Sequence, residues 1–308
     1  MSVQIFTPEN CYEKIITSYE TGHQKGTTTY NDFVDECWKW REKEANILSG
    51  FNNEGKSAWF RQMALIKALE EGKKFIFCSP EDYPPDEFFL DCIHTITGQS
   101  TDKDNINYVG RDKLDKAYNL IKDKFRFLYI EPPDNTVAKV LKEFKTISEE
   151  EDIFSSIIDP LIKFARPKDV ENRDDIYAAH LGSICTDYCR TYNQSFFLTV
   201  HQVTPKREPG SKQYPEPDVY LARGGGVFAD SFDNFLTVWR PNYYSDKLDP
   251  TVQFASKKIK KHKLVAIPQK MTCGFDRKTN RYIHLDNGEP LWDFDKFMEP
   301  VKTRVFLS

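Results

Sequence analysis

The sequence predicts an α/β fold in which a mainly parallel sheet is flanked by helices and ends in antiparallel strands. Short apolar runs alternate with helical segments as far as Val200, and a glycine-rich loop joins the first run to a helix. After Val200, apolar runs follow one another with little helix between them. Alternating strands and helices produce parallel sheets covered on both faces, because each crossover helix packs on the sheet.

The glycine-rich loop is the most informative local feature. Residues 50–57 read Gly-Phe-Asn-Asn-Glu-Gly-Lys-Ser and match the pattern Gly-x-x-x-x-Gly-Lys-Ser/Thr. The apolar run 45–49 precedes the loop, and apolar residues at helical spacing follow it as far as Leu69, with Gly72 as a stop. A strand, a loop and a helix in this order point the helix N-terminus at a phosphate group.

The motif predicts a site for ATP and Mg²⁺. Successive backbone N–H groups would wrap the β-phosphate, Lys56 would reach the β and γ oxygens, and the Ser57 hydroxyl would bind the metal. The predicted nucleotide contacts in this segment are Gly50, Asn52, Asn53, Glu54, Gly55, Lys56, Ser57 and Ala58.

Two acidic residues follow later apolar runs. Glu81 comes after the run 74–78, which we expect to lie next to the strand of the phosphate-binding loop, and we interpret it as the general base that orients water toward the γ-phosphate. A solvated turn residue is the alternative. Asp159 ends the run 154–158 and is predicted to hold Mg²⁺ through water.

His201 and Gln202 follow the run 195–200, at another strand end. A polar side chain there is a candidate sensor of the γ-phosphate, and His201 is the better candidate of the two. An ordinary hydrogen-bonded histidine is the alternative interpretation.

The remaining elements follow from the same patterns. Helices are predicted at 9–22, 31–44, 86–97, 112–124, 136–145 and 172–192, and further strands at 125–130, 235–239, 252–259, 264–267 and 271–275. Residues 204–226 form a loop of more than 20 residues, and loops of that length are usually functional or disordered. The loop holds the basic residues Lys206, Arg207, Lys212 and Arg223.

Composition narrows the class of protein. The chain has 308 residues and a net charge of −4, so positive charge for nucleic acid would have to be concentrated locally. The absence of an 18-residue apolar run and of a basic leader predicts a cytoplasmic protein without membrane spans. Seven cysteines without Cys-x-x-Cys pairs predict reduced thiols, and a metal pair at Cys185 and Cys189 is the less favoured alternative.

Together these features resemble the helicase domain of the DnaB, Twinkle and phage hexameric replicative helicases, from about Gly26 to about Tyr282. The residues that carry the resemblance are Thr27 to Thr29, the loop 50–57, Ser79-Pro80-Glu81, Asp159, the segment 201–206, Arg223 to Gly226, Asp233-Asn234, Lys261-His262-Lys263, Phe275-Asp276 and Arg281-Tyr282. The resemblance implies a RecA-like ATPase domain at 31–295, after a linker helix and linker at 1–30 and before a tail at 296–308.

The resemblance also implies the roles of individual residues. Glu81 would be the base, Asp159 the metal acid, and His201 or Gln202 the γ-phosphate sensor. The loop 204–226 would contact single-stranded DNA in the pore of a hexamer, through its four basic residues. A separate primase or loader would be a further partner.

Two departures from the family pattern affect these implications. The family presents Lys-x-Arg to the ATP of the neighbouring subunit, whereas this chain has Lys261-His262-Lys263. Lysine lacks the planar fork of arginine, so Arg223 and Arg240 are alternative candidates to Lys263, and Arg240 is also a predicted nucleotide contact. No primase-like or helical domain precedes the motor, so we expect oligomerisation to be weak, loader-dependent or assisted by DNA.

Two other functions are compatible with these features. One is a RecA- or KaiC-like ATPase that forms filaments or regulates by nucleotide state without unwinding. The other is a nucleotide-binding scaffold with a vestigial ATPase, for which the Lys-x-Lys change is the support.

Overall fold

The computed structural model describes residues 5–168, 173–203, 214–222 and 224–299. Within these ranges nine strands form one sheet: β1 Glu44–Gly50, β2 Lys74–Cys78, β3 Phe125–Phe127, β4 Ile153–Ile158, β5 Ser195–His201, β6 Asn234–Trp239, β7 Thr251–Ile259, β8 Lys270–Asp276 and β9 Arg281–Ile283. The helices are α1 Tyr12–Thr21, α2 Asp32–Cys37, α3 Lys56–Glu71, α4 Pro85–Thr97, α5 Arg111–Ile121, α6 Val137–Glu150, α7 Asp174–Thr191, α8 Gly226–Ser231 and α9 Asp295–Met298.

The strand order is β3-β2-β4-β5-β1-β6-β7-β8-β9. The strands from β3 to β6 pair in parallel, and β6 to β9 pair antiparallel. All seven residues of β1 are buried because this strand is central and covered on both faces. The predicted fold class, a mainly parallel sheet with antiparallel strands at the C-terminal end, is confirmed.

Each face of the sheet has its own hydrophobic core. Successive side chains of a strand point to opposite faces. In β2, Phe75 and Phe77 therefore pack with α3, α4 and α5, whereas Ile76 and Cys78 pack with α6 and α7 on the other face. All seven cysteine thiols are free, as predicted, and six of them are buried.

The threonine-rich segment before α2 packs on α3. Lys67 of α3 is fully buried, and its Nζ donates to Thr27 Oγ1 at 2.8 Å and to the Thr28 carbonyl at 3.1 Å. Trp292, near the other end of the chain, donates from Nε1 to the Thr29 carbonyl at 2.8 Å. The segment before α2 therefore packs on α3, the helix that follows the phosphate-binding loop, and a residue near the other end of the described chain bonds to that segment.

Two predicted elements were wrong, and one strand was missed. The helix predicted at 31–44 ends at Cys37, because Trp38 turns to extended backbone and the buried Trp38 and Trp40 rings pack edge to face in the core. The strand predicted at 264–267 is a turn, in which the Val265 N–H donates to the Lys261 carbonyl at 3.0 Å. The short strand β9 was not predicted.

The predicted position of β2 was also wrong. This strand follows β1 and α3 in the chain, but β5 and β4 lie between β1 and β2 in the sheet. A crossover connection is long enough to skip neighbouring positions, so chain order alone does not give sheet order. β2 and β4 are direct neighbours, which brings the ends of these two strands together.

The C-terminal helix α9 spans the predicted domain boundary between residues 295 and 296. Lys116 Nζ donates to the carbonyls of Met298 and Glu299 at 2.7 and 2.8 Å, and Arg281 pairs with Asp295 at 2.9 Å. The division of the chain at 30 and 295 stays a prediction. Among the described helices, none combines the length and apolar character needed to cross a bilayer.

Candidate nucleotide-binding site

The phosphate-binding loop connects the end of β1 to the start of α3 and depends on glycine at position 55. Gly55 has φ +91°, a left-handed conformation that favours glycine. A Cβ atom at this position would lie 2.5 Å from Tyr282 Oη, which donates to the Gly55 carbonyl at 2.9 Å. Both the backbone and the packing of β9 therefore require glycine here.

Lys56 is a buried cation enclosed by this loop. Its residue surface is only 5% exposed, and its Nζ donates to the Phe51 carbonyl at 2.8 Å. Burial lowers the pKa of Lys56, and negative charge on the nearby acidic side chains of Asp159, Glu54 and Glu81 acts in the opposite direction. A buried ammonium group beside an open cleft is well suited to bind an anion, because a charge-assisted hydrogen bond offsets the cost of its burial.

A cleft of about 500 Å³ opens over the loop. Its predicted lining residues from the loop and the start of α3 are Asn52, Asn53, Gly55, Lys56, Ser57 and Ala58. Glu81, Asp159 and His201 line it as well, from the ends of β2, β4 and β5. Residues from four separate parts of the sequence thus meet at one edge of the sheet, in a volume typical of small-molecule sites.

Asp159 and Ser57 provide oxygen atoms of the kind that bind metal ions. Asp159 follows β4 and is 3% exposed. Burial raises its pKa to about 6, whereas a hydrogen bond from the Ser57 side chain lowers it. A carboxylate and a hydroxyl beside a phosphate site are the ligands that Mg²⁺ prefers, so this part of the pocket fits that ion.

Glu81 lies in the short turn Pro80–Asp82 that follows β2. Its Oε1 is 3.3 Å from the Nζ of Lys163, and the two side chains are 43% and 50% exposed. Ion pairs between half-exposed side chains are worth at most about 1 kcal/mol, so the carboxylate can leave this partner easily. Lys163, which lies in the turn after Asp159, was not recognised from the sequence.

His201 and Gln202 have different surroundings. His201 lines the cleft, whereas Gln202 is buried behind it. Gln202 Nε2 donates to Ser49 Oγ at 2.8 Å, and its Oε1 accepts from the Asp218 N–H at 3.3 Å. Gln202 therefore connects the end of β1 to the segment 214–222, and His201 is the one that faces the cleft.

Two predicted contacts, Gly50 and Glu54, do not line the cleft. A Cβ atom at Gly50 would lie 2.3 Å from the Val238 carbonyl of the neighbouring strand β6. Glu54 is fully buried and turns inward to accept from the Phe51 N–H at 3.1 Å. Both residues maintain the shape of the loop.

Arg240 follows β6 at the same edge of the sheet but does not line the cleft. Its Nη2 donates to the Asp249 carbonyl at 2.9 Å, and its guanidinium carbon lies 4.4 Å from the centre of the Tyr243 ring. These contacts hold the side chain beside the loop, on the side of β1 opposite to Asp159.

Lys263 lies at the opposite edge of the sheet. Its neighbour Lys261 places Nζ 3.9 Å from Oε1 of Glu44, the first residue of β1. Since β1 has seven residues, this turn is about 20 Å from the phosphate-binding loop. Lys263 is therefore too far to contact a nucleotide in the cleft of its own chain.

The four predicted DNA contacts, Lys206, Arg207, Lys212 and Arg223, lie outside the described residues.

The cleft also contains a residue that the sequence analysis missed. Arg61, in α3, lines the cleft one helical turn after Ser57. Its spacing of four from Ser57 on a predicted helix was the available signal, since residues so spaced share a face.

Comparisons with known proteins support the fold. No protein-family model matches the sequence, and no curated protein matches it either. Among solved structures, one described as an ATPase domain matches with a TM-score of 0.72 and 12% identity, over 92% of this chain and 100% of that chain. A DnaB-like replicative helicase, described with its interactions with primase, matches with a TM-score of 0.72 and 13% identity, over 91% of this chain and 68% of that one. The chain thus has the fold of a DnaB-like helicase ATPase domain, as predicted.

Proposed function

We propose that this chain is an ATP-driven, ring-forming helicase or translocase that acts on single-stranded DNA in replication. The observation that carries the proposal is the convergence of Lys56, Ser57, Asp159 and Glu81 on one cleft. A fold shared at 12–13% identity does not by itself give a function, so the proposal depends on this site.

Binding follows from the loop geometry. The N–H groups at the start of α3 and the Lys56 ammonium would contact the β- and γ-phosphates, with Lys56 exchanging the Phe51 carbonyl for phosphate oxygens. Ser57 and Asp159 would hold Mg²⁺, which neutralises charge on the phosphate oxygens when it is bound. Arg240 lies on the other side of β1, where the nucleoside end of the ligand would extend.

Glu81 would act as the general base in hydrolysis. It accepts a proton from a water molecule whose oxygen attacks the γ-phosphorus, while the bond from that phosphorus to the β–γ bridging oxygen breaks. The products are ADP and inorganic phosphate. Before this step Glu81 has to leave Lys163, and the weakness of that pair keeps the free-energy change of the exchange small.

His201 would report the presence of the γ-phosphate to the DNA-contacting loop. It lines the cleft, and the next residue, Gln202, bonds to the Asp218 N–H on the far side of the predicted loop. Movement at the γ-phosphate would therefore reach both ends of the loop. We propose that Lys206, Arg207, Lys212 and Arg223 contact the phosphates of the single strand there.

Two features support assembly of several copies. None of the ten residues of α1 is buried in this chain. Three of them, Tyr12, Ile15 and Tyr19, are large apolar or aromatic side chains that stay exposed and could pack against another copy. Lys263 is about 20 Å from the cleft of its own chain, so it would contact nucleotide only across an interface.

We propose a hexamer with the linker helix at 1–30, the ATPase domain at 31–295 and the tail at 296–308. A primase is the proposed further partner, by analogy with the DnaB-like neighbour.

Steady-state ATP hydrolysis with and without oligo-dT tests the proposal. We expect Lys56→Ala to abolish hydrolysis, and Glu81→Gln to bind ATP but to turn over at least about a hundredfold more slowly. Lys145→Ala, on the exposed surface of α6, is the matched control and should behave as the wild type. Hydrolysis by Glu81→Gln at the normal rate would refute the assignment of the base.

A forked duplex with a 5′ tail separates the proposed motor from a filament-forming or regulatory ATPase. The motor displaces the strand in an ATP-dependent reaction, whereas a filament former coats it without displacement. Particle images with a non-hydrolysable ATP analogue and oligo-dT should show a closed or split ring. Filaments without strand displacement would contradict the proposal.

A further inference from the structure

Arg61 is a buried arginine beside the proposed phosphate site, outside the loop motif itself. It lies one helical turn after Ser57 on the same face of α3, is 6% exposed and lines the cleft. Arginine is rarely buried to this extent without partners for its donors.

The partners of Arg61 leave one of its donors unused. Nη2 donates to Asp91 Oδ2 of α4 at 2.8 Å, and the guanidinium carbon lies 5.7 Å from the centre of the Phe88 ring. Nη1 is also buried, and it has no hydrogen-bond partner among the described residues. Leaving a buried charged donor without an acceptor is costly, so a purely structural role does not account for Nη1.

The surroundings of Arg61 define the end of the cleft in which it lies. Burial lowers the pKa of Arg61, but the carboxylates of Asp91, Asp82 and Asp159 raise it and keep the side chain charged. Asp82 and Asp159 follow β2 and β4, on the side of β1 where the proposed metal-binding carboxylate Asp159 and the candidate base Glu81 lie. Arg240 is on the other side, beyond β6. Arg61 therefore lies near the terminal phosphate of a nucleotide bound in the proposed way.

We infer that Arg61 is a ligand-contacting residue whose Nη1 donates to the terminal phosphate of a nucleoside triphosphate. The inference rests on the proposed function and deepens it, because it explains how the cleft distinguishes a triphosphate from a diphosphate. Asp91 holds Nη2, which leaves Nη1 as the donor for a phosphate oxygen in the cleft that Arg61 lines. Charge-assisted bonds from arginine to phosphate are among the stronger ones in proteins, and the planar group gives them a fixed direction.

Equilibrium binding of two magnesium nucleotides tests the inference. A non-hydrolysable ATP analogue and ADP are titrated into the wild type and into Arg61→Met, which retains an apolar stem against Phe88. We expect affinity for the triphosphate analogue to fall by about tenfold to a hundredfold, with affinity for ADP changed by less than about twofold. Arg61→Lys should recover part of the loss, because one ammonium has to serve both Asp91 and the phosphate.

Asp91→Asn is the control for a structural role. It weakens the pair with Nη2 and leaves Nη1 in place, so the ratio of the two affinities should stay within about threefold of the wild-type ratio. Equal losses for both nucleotides in Arg61→Met, or an Asp91→Asn protein with the same loss of discrimination, would overturn the inference.

Other outcomes are also decisive. If Arg61→Met does not fold, Arg61→Lys carries the test, and an unchanged ratio of affinities in that variant overturns the inference. If the wild type binds neither nucleotide, the proposed function fails together with this inference. A wild type that binds both, with an unchanged ratio in Arg61→Met, overturns only the role of Arg61.

Discussion

Glu54 is a carboxyl group buried inside the phosphate-binding loop, and we predict that Glu54→Gln removes a pH dependence of stability. Burial raises the pKa of Glu54 from 4.5 to about 8, although the Phe51 N–H and the charges of Lys56 and Arg240 lower it. The side chain is therefore mostly neutral at pH 7. Glutamine has the same shape and is neutral at every pH.

The magnitude follows from proton linkage. Between pH 4.5 and pH 8 the folded chain binds the Glu54 proton while the unfolded chain releases it, so folding stability decreases as pH rises through this window. A full unit of difference is worth about 1.4 kcal/mol. From pH 6 to pH 8, where the folded group itself begins to ionise, the wild type should lose about 2 kcal/mol that the variant keeps.

Urea denaturation at pH 6, 7 and 8 in the same salt measures this difference. Subtracting the free energy of unfolding of the wild type from that of Glu54→Gln cancels the other titrating groups and isolates residue 54. The half-exposed Glu149, changed to glutamine, is the matched control and should give a constant difference. A Glu54→Gln difference that stays constant within about 0.5 kcal/mol from pH 6 to pH 8 would refute the reasoning.

Three further predictions concern the phosphate-binding loop, the residue that precedes β6 and the linker helix. Gly55→Ala should lower the free energy of unfolding, measured by urea titration, by about 2–4 kcal/mol, because alanine is strained at this positive φ and its Cβ would clash with Tyr282 Oη. Adding Tyr282→Phe removes this hydroxyl and should recover part of the loss. Asp233→Ala should cost about 1–3 kcal/mol in the same assay, because Asp233 Oδ2 accepts from the Ala45 N–H and Oδ1 pairs with Lys260; an unchanged midpoint would contradict this. Deleting residues 1–22 should change the free energy of unfolding by less than about 0.5 kcal/mol, since α1 buries none of its residues. Light scattering should show a smaller assembly for the deletion variant, and an unchanged mass would contradict a role of α1 in contacts between copies.

The sequence was sufficient for those parts of the site that depend on strand ends. Parallel strands place their carboxyl ends at one edge of the sheet, so Asp159 and His201 were predictable once their strands were recognised. Glu81 was predicted for a reason that was partly wrong. Its strand is not beside β1, yet it pairs with β4, and that pairing brings Glu81 to Asp159.

Other features depend on contacts that no local pattern contains. The helix predicted at 31–44 stops at Cys37 because burial of Trp38 and Trp40 outweighs local helix propensity. The surroundings of Arg61 and Lys163 depend on how far their side chains reach across neighbouring elements. Glu54 fits the motif at a variable position, and its inward orientation became visible only with the fold of the loop.

Burial divides the site into a fixed part and a movable part. Lys56, Arg61 and Asp159 are all at most 6% exposed. Lys56 bonds to the Phe51 carbonyl, Arg61 to Asp91 of α4, and the Asp159 N–H to the Cys78 carbonyl of β2. Glu81 is 43% exposed and pairs weakly with Lys163. The groups that would bind the phosphates are therefore preorganised by burial, whereas the group that would activate water is half-exposed and has to leave an ion pair.

Control of the proposed motor would follow from this division. Apart from the exchange of the Phe51 carbonyl for phosphate oxygens at Lys56, the buried phosphate site would bind ATP without rearrangement, so binding alone would not commit the chain to hydrolysis. The rate would instead depend on the position of Glu81, whose partner Lys163 lies in the turn directly after Asp159. Any event that moves this turn, such as contact with a neighbouring copy or with DNA, would release the base at a cost of at most about 1 kcal/mol. Hydrolysis could then be coupled to assembly without any change in the phosphate-binding groups.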